Sequence, residues 1–107
     1  MEHVSVQQLE EITRRLVDAL HPVRVLLYGS HAYGRPGPHS DVDILVVVPE
    51  SDRSSYERDA QAYRALRGIG VPIEVQVYTV AEFEKGLQVP LSLERTVQQK
   101  GRVLYAA

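Results

Sequence analysis

Two aspartates and a glycine–serine pair are the residues of this sequence whose types and spacing suggest chemistry. Gly29-Ser30 is followed, after ten residues, by Asp41-Val42-Asp43. The two aspartates begin a predicted strand, so their side chains project from the same face with Cα atoms roughly 7 Å apart. Two carboxylates that share a pocket raise each other's pKa and destabilise the fold unless a cation lies between them. The pair therefore predicts a site for a divalent metal ion.

The surroundings of the aspartates favour magnesium and a nucleotide. The chain has no cysteine and its four histidines are not clustered, which argues against zinc. Gly29 follows a predicted strand directly and permits close approach to the backbone, while Ser30 offers a hydroxyl and an amide to a phosphate oxygen. A loop rich in glycine and proline then returns the chain, so that its two ends can meet over one cleft. Phosphates on one side and a metal on the other predict a nucleotide site.

Two more residues are candidates for this site. A two-metal centre for phosphoryl transfer normally needs a third carboxylate. Glu74 lies on the polar face of a predicted strand, and the strand register could bring it beside Asp41 and Asp43. Arg35, in the loop, could pair with a triphosphate as a fixed positive charge. The alternatives are a solvated glutamate on an exposed strand face and an arginine on the surface of the loop.

Histidines and tyrosines near the loop have alternative interpretations as well. His31 and His39 could serve acid–base chemistry, although histidines in polar loops are usually solvated. Tyr33 and Tyr28 could stack on a base, with packing beneath the loop favoured for Tyr28. None of the four is included in the predicted site.

Capping signals and hydrophobic periodicity predict the elements that must position these residues. The order is helix, strand, loop, strand, helix, strand, helix, helix and strand, over residues 5–21, 23–28, 29–40, 42–48, 52–67, 73–78, 79–86, 91–99 and 102–105. This order predicts an α/β (α+β) fold in which helices pack against a small mixed β-sheet.

Length, composition and charge limit the number of domains, the location and the binding partners that can be expected. Residues 1–107 suffice for a single domain, and 44% apolar and 24% charged residues are ordinary for a globular protein. Neither a signal peptide nor a membrane-spanning segment is expected, which makes the cytoplasm the default location. The formal charge is −2 and the basic residues are spread along the chain, so direct binding of nucleic acid is not expected.

Two segments of the sequence together resemble the motif of a known protein family. Leu27–Gly34 (LYGSHAYG) followed by Ser40–Val46 (SDVDILV) is similar to the motif of the DNA polymerase β nucleotidyltransferase superfamily. The small size resembles the minimal nucleotidyltransferases, or MNT proteins, encoded beside HEPN-domain proteins. The resemblance implies a polymerase β-like nucleotidyltransferase core that extends from the first helix through Tyr105.

The resemblance also assigns roles to site residues. It implies that Ser30 contacts the β- or γ-phosphate, that Asp41 and Asp43 ligate magnesium, and that ATP donates AMP with release of pyrophosphate. Glu74 departs from the pattern, because the family commonly has aspartate there. The longer side chain could coordinate from a strand set farther back, or it could mark a weakened activity.

A partner must supply the specificity for the acceptor, because a core of this size has little surface left to recognise one. The resemblance implies that the partner is a HEPN-domain toxin and that the chain acts as its antitoxin by adenylylating a toxin tyrosine. Two alternatives stay open: an antitoxin that neutralises its partner by binding alone, and an enzyme that modifies a small molecule such as an aminoglycoside. Nucleotide preference, the number of nucleotides transferred and a homodimer or hetero-oligomer as the working form also stay open.

Overall fold

The computed structural model describes residues 4–37 and 40–107. The elements, in chain order, are α1 (Val6–Leu20), β1 (Arg24–Tyr28), α2 (Ser30–Tyr33), β2 (Val42–Val48), α3 (Ser55–Ala65), β3 (Ile73–Thr79), α4 (Val80–Leu87), α5 (Leu93–Lys100) and β4 (Arg102–Ala106). The strands form one sheet in the order β3-β2-β1-β4, in which β2 and β3 are parallel and the other pairs are antiparallel. The predicted mixed sheet with packed helices is confirmed.

Helices cover both faces of the sheet. On one face, α1 and α3 contribute Leu9, Ile12, Leu16, Ala62 and Leu66 to a core with the inward residues of all four strands. On the other face, Phe83 of α4 and Val97 of α5 pack on residues of β1 and β2. No helix in the described part of the chain is long and apolar enough to span a membrane.

The first helix forms as its sequence predicts. Ser5 accepts a hydrogen bond from the Gln8 amide, and the Gln8 side chain accepts one from the Ser5 amide, both at 3.0 Å. This capping box satisfies two of the amides that a helix start leaves unpaired. At the other end His21 adopts a left-handed conformation with φ of 48°, and its amide bonds the Val17 carbonyl. The helix consequently turns into β1 without a long connection.

The structure differs from the prediction in two places. The loop after β1 contains the single-turn helix α2, which is too short to show a periodic pattern. The helical spacing of Tyr56, Ala60, Tyr63 and Leu66 predicts the apolar face of α3, but Tyr56 is 81% exposed and Tyr63 is 45% exposed. Arg58 and Ala62 are buried instead, because the guanidinium of Arg58 finds polar partners beneath the helix.

Arg58 joins three elements on this side of the molecule. Its guanidinium donates to the Val77 carbonyl at 3.3 Å, to the Arg53 carbonyl at 3.0 Å and to the Glu82 carboxylate at 2.6 Å. Glu82 also accepts from the Thr79 amide at 2.9 Å, in the capping box that starts α4. The hydrogen bond from the Thr79 amide lowers the pKa of Glu82 most, and the bond from Arg58 lowers it further below its ordinary value of 4.5.

Replacing Glu82 with glutamine tests this ion pair. Glutamine keeps the capping geometry but leaves the buried Arg58 charge without a counterion. We expect a loss of about 1–2 kcal/mol in unfolding free energy at neutral pH, less than for a fully buried pair because Glu82 is half exposed. Urea denaturation measures the loss.

Glu57→Gln is the matched control, since Glu57 closes the equivalent capping box of α3 but forms no ion pair with an arginine in the described part of the chain, where Arg53 acts on it only through its charge. Because the folded-state pKa of Glu82 is lowered, its contribution is complete above pH 4.5 and disappears as the pH falls through the lowered pKa. Glu82→Gln should therefore also reduce the dependence of stability on pH in acid. Equal losses for the two variants at neutral pH would contradict the role of the ion pair.

Candidate functional site

The glycine–serine turn lies where β1 ends. Gly29 has φ of 75° and ψ of −157°, a conformation that is essentially restricted to glycine. Its carbonyl accepts the Ala32 amide at 3.0 Å and so starts α2, and a Cβ atom on Gly29 would collide with the carboxylate of Asp43. The backbone at this turn is therefore packed directly against the second aspartate, and Ser30 begins the next helical turn beside it.

The strand register places the second aspartate, Asp43, between Tyr28 and Glu74. Asp43 is opposite Tyr28 in the antiparallel pairing of β1 with β2, and opposite Glu74 in the parallel pairing of β2 with β3. Neighbouring strands are about 4.8 Å apart and paired residues share a face, so the Asp43 and Glu74 side chains lie side by side. Asp41 precedes β2 and is exposed, as is Glu74, whereas Asp43 is half buried.

The carboxylates repel one another in this arrangement. Burial raises the pKa of Asp43 above its ordinary value, and the negative charges of Glu74 and Asp41 raise it further, while His31 acts in the opposite direction. A cation would relieve this repulsion, and the oxygen donors present suit magnesium rather than a softer metal. Within residues 4–37 and 40–107, however, no three His, Asp or Glu side chains are grouped closely enough to hold a metal ion.

His31 is a structural residue, and the expectation that it is solvated is wrong. The side chain is buried, Nδ1 accepts the Val4 amide at 3.0 Å, and Nε2 lies 3.3 Å from the Ser40 carbonyl oxygen. A neutral imidazole can make both contacts when its proton is on Nε2. Because Ser40 immediately precedes Asp41, His31 joins the two ends of the loop and holds them near the start of α1. The other histidine considered, His39, lies outside the described residues.

A row of hydrogen-bonded polar side chains beneath the carboxylates was not predicted from the sequence. The Tyr78 hydroxyl donates to Gln76 Oε1 at 2.9 Å, and Gln76 Nε2 donates to the Tyr28 hydroxyl at 3.4 Å. Burial and the charges of Asp43 and Glu74 raise the pKa of Tyr28, so its hydroxyl stays neutral. The signal was present in the alternation of β3, which puts Gln76 on the same face as Glu74.

The loop arginine and tyrosine lie farther from these contacts. Arg35 is exposed, and no hydrogen bond or ion pair joins it to another residue of the described chain. Tyr33, at the end of α2, is 45% exposed. Tyr28 is buried, in agreement with the packing role favoured for it. The structure thus brings Gly29, Asp43 and Glu74 together and leaves Arg35 at the surface.

A mixed sheet with a glycine turn packed on a strand carboxylate is the arrangement expected of the nucleotidyltransferase class. The nucleotidyltransferase domain family matches residues 6–104, and the chain belongs to this family. No curated protein sequence is significantly similar to the chain.

Several solved structures share the fold. A proposed nucleotidyltransferase from Sulfolobus solfataricus has a TM-score of 0.64 and 19% identity, over 94% of this chain and 82% of its own. A mutant of the toxin–antitoxin MntA–HpeT has a TM-score of 0.64 and 15% identity, over 92% of this chain and 73% of its own. A tri-AMPylated Shewanella oneidensis HEPN toxin in complex with MNT antitoxin has a TM-score of 0.57 and 15% identity, over 94% of this chain and 71% of its own. At such identities the likeness establishes the fold alone.

Substitution of Gly29 by alanine should damage the site more than an ordinary glycine replacement. The strained backbone alone accounts for a loss of about 1–3 kcal/mol in unfolding free energy, and the collision with Asp43 adds to it. Gly70→Ala is the control, because Gly70 has φ of 89° but a Cβ atom added to it would meet no other atom within 4 Å. Chemical denaturation compares the two variants. A loss for Gly29→Ala no larger than for Gly70→Ala would show that the contact with Asp43 is unimportant.

Proposed function

We propose that the chain is a magnesium-dependent nucleotidyltransferase that moves AMP from ATP to a hydroxyl group of a partner protein. The observation that supports this best is the packing of the Gly29 backbone on Asp43, with Glu74 next to Asp43 on the neighbouring strand. Family membership supports transfer of a nucleotidyl group. The sequence motif supports ATP and magnesium as the substrate and cofactor.

The site residues would act in two groups. Asp41, Asp43 and Glu74 would hold magnesium, whose positive charge neutralises the triphosphate when it is bound. Ser30 would donate to a β- or γ-phosphate oxygen from the turn, and Arg35 would approach the phosphates from the loop. The close contact of Gly29 with Asp43 keeps the phosphate side and the carboxylate side of the site within one ligand's reach.

The proposed reaction is an in-line displacement at the α-phosphorus. The acceptor oxygen forms a bond to phosphorus while the bond to the bridging oxygen of the β-phosphate breaks, and pyrophosphate leaves. The hydroxyl proton passes to water or to a carboxylate of the site. The neutral Tyr28 hydroxyl, held by Gln76, forms part of the floor beneath these groups and can donate a hydrogen bond.

We further propose that the acceptor is a tyrosine of a HEPN-domain toxin, so that the chain serves as an antitoxin. Two structures with the same fold belong to toxin–antitoxin systems, and one contains an AMPylated HEPN toxin. The charge of −2 gives no support to a long nucleic acid as the acceptor. A small domain of this kind needs a partner to supply specificity for the acceptor.

Transfer can be followed with ATP labelled at the α-phosphate, magnesium and a HEPN-domain protein as the acceptor. We expect label on the partner, and none when the label is at the γ-phosphate. Asp43→Asn should lower the rate at least about 100-fold, since loss of a metal ligand removes several kcal/mol of transition-state stabilisation.

The Glu74 variants provide the matched comparison. Glu74→Gln should be as inactive as Asp43→Asn, whereas Glu74→Asp, which restores the residue common in the family, should retain activity. Glu50→Gln, at an exposed carboxylate outside the site, should behave as the wild type. Full activity of Glu74→Gln would exclude Glu74 from the reaction, and the absence of label with the wild-type chain would overturn the enzyme itself.

A second candidate is an antitoxin that neutralises its toxin by binding alone. It is favoured by the glutamate at position 74 and by the lack of three grouped metal-binding side chains in the described part of the chain. The double variant Asp41→Asn with Asp43→Asn separates the two functions. If catalysis neutralises the toxin, cells that express the toxin and this variant should stop growing, although the two proteins still associate. Full rescue by the variant would establish binding as the mechanism.

A further inference from the structure

One edge of the sheet is blocked by side chains. β3 is an edge strand, and α3 covers its outer backbone groups. The Val75 amide donates to the Tyr63 hydroxyl at 3.1 Å, and the Val77 amide donates to Asp59 Oδ1 at 2.8 Å. Arg58 donates to the Val77 carbonyl. These bonds occupy three of the backbone groups that an added strand would need, which disfavours extension of the sheet at this edge.

The opposite edge is open. β4 pairs with β1 on its inner side, and no side chain of residues 4–37 or 40–107 bonds a backbone group of Arg102–Ala106. Val103 points to the face of α4 and α5, because it is opposite Leu26, and it is 55% exposed. An edge strand with unpaired backbone groups and an exposed valine is a template for another strand.

An apolar groove runs beside this open edge. It is an open groove with a volume of about 430 Å³ between α1 and β4, and Val6, Leu9 and Val17 line one wall. Leu104 and Tyr105 line the other wall, since a register shift after Val25 lets both side chains pack on the α1 side of the sheet. A strand added to β4 would direct alternate side chains towards this groove.

The charges at the two ends of the groove suit a second copy of the chain. Arg102 lies at the end of the groove where α1 begins, since it is opposite Leu27, while Asp18 lies at the end where β1 begins. Antiparallel pairing of two β4 strands would carry Arg102 of each copy towards Asp18 of the other. The side chain of Asp18 is 68% exposed, which leaves it accessible beyond its contact with Arg14.

We propose that the chain forms a homodimer in which two β4 strands pair antiparallel across a two-fold axis, giving one continuous eight-stranded sheet. Leu104 and Tyr105 of each copy then contribute apolar surface to the groove beside α1 of the other. The interface is isologous and closed, so each copy satisfies the open edge of the other and assembly stops at two. The carboxylates of the candidate site do not line this groove, and the dimer does not depend on the chain being an enzyme.

The oligomeric state of the whole chain tests this interface. Light scattering after size-exclusion chromatography should give twice the monomer mass of 12.0 kDa. Val103→Lys places a charge on the open edge and should raise the dissociation constant at least about tenfold. Val89→Lys is the matched control, because Val89 is equally exposed at 53% but lies in the α4–α5 turn. That variant should remain dimeric.

Cross-linking keeps the inference testable if Val103→Lys fails to fold, which circular dichroism would reveal. The chain has no cysteine, so Val103→Cys introduces a single thiol that a short bifunctional maleimide should join across the axis. Val89→Cys should give no cross-link. A wild-type chain that stays monomeric up to about 1 mM would overturn the dimer and leave the groove to another protein. A dimer that tolerates Val103→Lys, or links equally through Val89→Cys, would overturn the interface.

Discussion

The partial burial of one carboxylate, Asp43, is the constraint on which the rest of this structure depends. A carboxylate removed from water next to other negative charges is unfavourable, and both Glu74 and Asp41 add to its cost. The fold holds Asp43 there because its strand, β2, is paired on both sides. Tyr28 of β1 is opposite Asp43 on one side, and Glu74 of β3 is opposite it on the other. Hydrophobic packing of the sheet supplies the free energy that keeps these charges close.

Different helices cover the two faces of the sheet that holds these carboxylates. On one face, α1 and α3 bury most of the aliphatic side chains and fix the positions of the strands. On the other face, α4 and α5 cover the end of the sheet that is distant from the carboxylates, around Phe83 and Val97. The polar chain from Tyr78 through Gln76 to Tyr28 then connects this covered end to the site. At the carboxylate end of the sheet, Asp41 and Glu74 are exposed and Asp43 is half buried.

The sequence predicted the elements that have strong local signals. The capping signals at Ser5 and Thr79 predicted two helices close to their observed limits, and the alternating polar and apolar residues of β3 predicted a strand. Long-range partners could not be predicted. The buried face of α3 depends on Glu82, which is 24 residues from Arg58. The proximity of Asp43 to Glu74 likewise required parallel pairing of β2 with β3, which periodicity within each strand does not determine.

The position of His31 has a consequence for how the loop can be observed. Its ring connects the Ser40 carbonyl, beside the first aspartate, to the amide of Val4, which precedes α1 and lies outside the carboxylate cluster. Motion of the loop that displaces the imidazole must therefore release that amide to solvent. The Val4 amide is a natural reporter of loop opening, readable by hydrogen exchange without a label in the site.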